Sequence, residues 1–210
     1  MAAPTPKLIT DSLFEKLFPS LESGKNLLGE WEIFNIIREA KKIPNEEQSS
    51  SVIGLAYIVL GDINKGSEYC ERAIELNPYV SAVWSNYAIA VGHKNKHSLQ
   101  RNILKRGVEY NHPSVIKFAY LVAALWVDVA EMKRLHDLVL AYSTEDLDEH
   151  QRHNMAKAHV IFDSLVDRDV ESHELSEIVN LVIDIVGRDA DLVVMIDRQI
   201  PSDDLIVHFF

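Results

Sequence analysis

Within residues 47–80 the small side chains Gly54, Gly66 and Ala73 recur among apolar residues at three- and four-residue spacing, and this segment constrains the fold more than any other. Ile53, Tyr57 and Leu60 share one helical face, and Cys70 and Ile74 share another, which is the period of an amphipathic helix and not of a strand. Two antiparallel helices approach closely only where a side chain is small, so these residues predict a tightly crossed helical hairpin. Asn45 ahead of Glu46, Glu47 and Gln48 reads as an N-cap, Gly61-Asp62 as the turn and next cap, and Asn77-Pro78 as the stop.

Numbered from Glu47, residues Gly54, Tyr57, Gly61, Gly66, Ala73 and Pro78 stand at positions 8, 11, 15, 20, 27 and 32 of a 34-residue unit, and in this the segment resembles a tetratricopeptide repeat. A second unit starts at Ser81 with Trp84, Tyr87, Ala88 and Val91. Its second helix has Gln100 at the small position, then Leu104 and Gly107, and its closing Pro113 comes one residue late, which predicts an insertion or loose turn near residues 93–98. A third unit from Val115 places Phe118, Leu121, Val122 and Leu125 on its first helix and Leu138 and Ala141 on its second, with Arg134 at the small position and no turn glycine. The expected fold is mainly α: a TPR-like helical-hairpin solenoid with units 47–80, 81–114 and 115–144. An irregular helical bundle with one chance match is the alternative.

Residues 1–46 read as N-terminal capping helices. One carries Leu13, Phe14, Leu17 and Phe18, opens on a Ser12/Glu15 capping box and is ended by Pro19; the other spans about 29–42 and carries Trp31, Phe34, Ile37 and neighbours. Residues 145–210 read as an acidic C-terminal extension: a helix from Thr144 through Met155, Ala158, Phe162 and Leu165, another over about 172–186, then a short β-hairpin from runs 191–197 and 204–210 around Pro201. A two-stranded hairpin is barely stable alone, so this one is expected to pack on helices, to pair with a second copy, or to belong to a longer sheet cut short at Phe210.

The net charge of −11 lies in the last third: residues 145–210 carry 5 Lys/Arg against 16 Asp/Glu. Such a surface repels nucleic acid and anionic membrane and favours basic partners or plain solubility. Lys94, Lys96, Arg101, Lys105 and Arg106 form a local basic stretch, but no aromatic residues interleave with them for base stacking. Nucleic acid is therefore a minor reading. No apolar run reaches about 18 residues and no signal-peptide core is present, so no membrane is expected. The single Cys70 suits a reducing compartment, and a cytoplasmic location follows as the default.

No phosphate loop, nucleophile elbow or zinc-protease motif occurs. His150 and His153 are three apart, His93 and His97 straddle an expected turn, and Asp163, Asp167 and Asp169 read as a helix end, so no catalytic residue, metal or other cofactor is assigned. What the resemblance implies is a non-enzymatic protein-binding scaffold, because the first helices of such arrays line a concave groove. Its groove positions map to Gln48, Ser51, Leu55, Ile58 and Val59, then Ala82, Ser85, Ile89, Gly92 and His93, and in the third unit Ile116, Ala119, Ala123, Trp126 and Val127. Asn86 alone matches the family's carboxylate clamp, so a chaperone-tail adaptor is not expected. The groove is apolar and suits a peptide or amphipathic helix. The competing reading is an oligomerising structural module whose groove is filled by its own chain, with the hairpin as a route to a homo-oligomer.

Overall fold

The computed structural model describes residues 6–142, 147–167, 177, 178, 181, 194–198 and 205–209. The chain is mainly helical and divides into two compact units, Met1–His112 and Pro113–Phe210. The first contains α1 (Pro6–Ser23), α2 (Glu30–Ala40), α3 (Glu46–Leu60), α4 (Ile63–Leu76), α5 (Ser81–Gly92) and α6 (His97–Val108). The second contains α7 (Pro113–Leu125), α8 (Val129–Leu140), α9 (Glu149–Asp167) and two extended segments, β1 (Val194–Arg198) and β2 (Leu205–Phe209). These segments pair antiparallel with Val194 opposite Phe209. Of the expected helix over 172–186 only residues 177, 178 and 181 are described, all helical, and the residues between β1 and β2 lie outside the described residues.

Helices α3/α4, α5/α6 and α7/α8 pack as hairpins, and all three turn on one hydrogen-bond pattern. The turn residue adopts a left-handed conformation: Gly61 at φ 93°, Asn95 at 57° and Val127 at 53°. The next N–H reaches back to the last turn of the first helix, from Asp62 to Tyr57 O (3.0 Å), from Lys96 to Val91 O (2.9 Å) and from Asp128 to Ala123 O (2.8 Å). This is the usual way a helix end satisfies its orphan carbonyls. Asp62 and Asp128 then cap the second helix by accepting from Lys65 N and Glu131 N.

This geometry corrects the register. Asn95 follows Gly61 by the full repeat, so residues 93–98 contain no insertion, whereas Val127 comes two residues early. Pro113 is the first residue of α7 and not the stop of α6, a position where the missing N–H costs nothing. The third hairpin thus begins at Pro113 and not at Val115. Two helix limits and one buried face also differ from expectation. Pro19 lies inside α1, where the helix continues through Leu17 and Leu21, both buried on one face. Asp148 opens α9 with a reciprocal box, accepting from Gln151 N (2.7 Å) while its own N–H donates to Gln151 Oε1 (3.1 Å), so the described helix starts after the expected Thr144. In α2 the buried stripe is Ile33, Ile36, Ile37 and Ala40, which leaves Trp31 80% and Phe34 53% exposed on the opposite side.

The first hairpin crosses where the small residues lie. A Cβ added to Gly54 would stand 2.8 Å from Gly66 O and 2.9 Å from Cys70 N, so backbone itself fills the space. Gly66 in turn faces Ile58, whose Cγ1 would be 2.5 Å from an added Cβ. In the second hairpin the sizes are exchanged at the same two positions: Gly92 takes the place of Ile58 and Gln100 that of Gly66, and a Cβ on Gly92 would meet Gln100 Cδ at 2.6 Å. The third hairpin has Ala124 and Met132 there. The crossing needs one small partner per pair, and which helix supplies it is free to change.

Candidate partner-binding face

In the first unit the exposed side of α3 and α5 is not empty. Helix α1 packs against α2, α3 and α5, running from the start of α3 to the end of α5. Thr10 Oγ1 donates to Gln48 Oε1 (3.0 Å) at one end. At the other, Gly24 follows α1 with φ 65° and its backbone lies so close to the His93 carbonyl that an added Cβ would collide with it. Leu13, Leu17 and Leu21, at four-residue steps, are buried together with Thr10 and Ser20. This is one continuous stripe of an amphipathic helix laid on the first helices of two hairpins.

Lys94 pins that end. Its half-buried ammonium donates to Gly24 O (2.8 Å) and to Val59 O (3.4 Å), joining the residue after α1 to the last turn of α3, where helix carbonyls favour a cation. Burial holds its pKa below the ordinary lysine value. Arg106 is engaged as well, forming a two-armed pair with Glu71 (3.0 and 2.7 Å) across α4 and α6 and lying over the Trp84 ring. Two of the five cations of the basic stretch therefore serve internal contacts, which weakens its reading as a free polyanion-binding stripe.

Most of the expected groove residues of the first unit are accordingly covered. Ser51, Leu55 and Ile58 are buried, Gln48, Ser85, Asn86 and Ile89 are half-buried, and His93 is exposed. Ile58 points to Gly66 within the hairpin. Gln48 and His93 stand where the two ends of α1 meet the face. The shifted third turn also displaces the assignments there. Positions equivalent to those of the first two hairpins are Ser114, Lys117, Leu121, Ala124 and Leu125, while Ala119 and Trp126 are both buried.

The sequence reading missed the outward apolar surface of the capping helices. Trp31 and Phe34 on α2, Phe18 on α1 and Leu27 between them are each more than half exposed. The signal was the three- and four-residue steps from Ile33 to Ile36 and Ile37, which already fill one stripe of α2 and turn Trp31 and Phe34 away from it. Cys70 is fully buried and burial pushes its thiol far above the ordinary range, which leaves no reactive thiolate there.

Among the described residues no group of three His, Cys, Asp or Glu side chains is placed to hold a metal ion, and no helix is long and apolar enough to cross a membrane. Compared with protein-family models, curated proteins and solved structures, the chain matches none. Its function is therefore argued from its own geometry.

Proposed function

We propose that the protein is a non-enzymatic protein-interaction scaffold, a tetratricopeptide-like solenoid of helical hairpins whose first-helix face receives an amphipathic helix. The observation that carries this reading is the seat of α1. A face that buries Leu13, Leu17 and Leu21 of one helix between Gln48 and His93 has the shape and apolar character to take another helix of the same pattern, with α1 displaced. The common turn geometry of the three hairpins supports the repeat reading. A docked terminal hairpin made of β1 and β2 is part of the same proposal. So is a cytoplasmic location, which rests on the lone buried thiol.

The second reading is an oligomerising module in which α1 permanently completes the core; the burial of all three leucines favours it. Capture from the native lysate separates the two. Ile89 is half-buried, so Ile89→Glu is expected to fold. A protein retained by the wild type and lost by this variant supports the scaffold. Identical captures, or recovery of the chain alone together with a mass that falls on dilution, support the module instead.

A further inference from the structure

The second unit departs from the first at the hairpin crossing, and the departure is chemical. Seven residues before the turn and nine after it, the first hairpin has Gly54 and Cys70; the same steps from Val127 lead to Tyr120 and His136. A third ring, His159, comes from α9, which packs on both α7 and α8. The Tyr120 hydroxyl lies 3.4 Å from His136 Nδ1 and 3.3 Å from His159 Nδ1. His136 stacks on Phe162 of α9 with ring centroids 4.1 Å apart, and the two imidazoles meet edge to face at 5.7 Å. Tyr120 is wholly buried.

A phenol has one proton. It donates to one Nδ1 and accepts from the N–H of the other, so the two neutral imidazoles present opposite tautomers to it. One added proton, at the Nε2 of the ring that already donates, leaves the pattern intact. A second added proton turns both Nδ1 atoms into donors, deprives the phenol proton of its acceptor and sets two half-buried cations side by side.

We propose that Tyr120, His136 and His159 form an acid-sensitive clasp seating α9 on the α7/α8 hairpin, and that protonation of both imidazoles releases α9 and bares the face it covers.

Asp163, one turn beyond His159 on α9, is exposed and favours the imidazolium; Lys117, three residues before Tyr120 on α7, is buried; Lys133 and Asp137 near His136 on α8 are exposed and of opposite sign. Burial first, and His136 second, hold His159 below the ordinary imidazole range, while Asp163 pulls the other way. The unfolded or released state therefore binds the proton more readily. The seat of α9 is fully stable above the unfolded value of about 6.5 and weakens as pH falls from there towards the depressed folded value.

Hydrogen exchange on the full chain, corrected for the intrinsic pH dependence, tests this. From pH 7.5 to 5, protection of α9 amides is expected to fall severalfold relative to those of α4, and this fall is expected to vanish in His159→Gln. No selective loss in the wild type, or an equal loss in the variant, overturns the proposal. If His159→Gln does not fold, imidazole NMR titration of the wild type decides. His159 titrating below the ordinary imidazole value of about 6.5 supports the clasp; titration at or above that value overturns it.

Discussion

Gly54→Ala puts the hairpin-crossing argument at greatest risk. In an exposed helix this substitution stabilises by about 1 kcal/mol, because alanine loses less conformational freedom than glycine. Here the new Cβ would stand 2.5 Å from Cys70 Sγ, 2.8 Å from Gly66 O and 2.9 Å from Cys70 N. Two of these atoms are backbone and cannot rotate away, so α3 and α4 must separate by several tenths of an ångström along their whole contact. Overpacking of this kind costs about 1–3 kcal/mol, and rigid backbone on both sides argues for the upper end. After the propensity gain, a net destabilisation of about 2 kcal/mol is expected, or roughly 10 °C in Tm for a unit of this size. Urea unfolding followed by circular dichroism measures it, and hydrogen exchange of α4 and α8 peptides assigns the loss to the first unit. Unchanged or increased stability would refute the close crossing.

Gly92→Ala is expected to cost less than Gly54→Ala, because the obstacle is the Gln100 side chain and not backbone. Adding Gln100→Ala should recover stability relative to the single variant, and additive losses in a double-mutant cycle would contradict the exchanged sizes. Cys70, buried and with its thiol pKa raised by burial, should react with a thiol reagent only as fast as the first unit unfolds; prompt labelling at neutral pH would contradict its placement.

Much of the first hairpin was legible because its signals are local and redundant: a cap at Asn45, glycine at the turn, small residues at the crossing and Pro78 at the exit. The second hairpin was partly legible. Gln100 reads as a violation until Gly92 is seen across from it, and a pairing between helices has no signature within either. The third was misregistered because its turn residue is Val127, a β-branched residue held in a left-handed conformation. Nothing in its side chain announces such a turn, and its near-complete burial offsets the local strain. Occupancy of the groove was illegible for a related reason. The sequence indicates which side of a helix is apolar, but not whether a partner or the chain's own α1 covers it. The Tyr120–His136–His159 cluster was out of reach, since residues from three helices meet there and each histidine alone reads as a surface residue.

Titrating a labelled peptide of residues 6–23 against the full chain, in wild-type form and with Leu17→Asp to unseat α1, tests the central claim most directly. The account predicts saturable binding to the Leu17→Asp chain, weaker binding to the wild type whose face is already filled, and none when the peptide itself carries Leu17→Asp. No binding to either chain, or equal binding of both peptides, would contradict a face built to receive a leucine-striped helix.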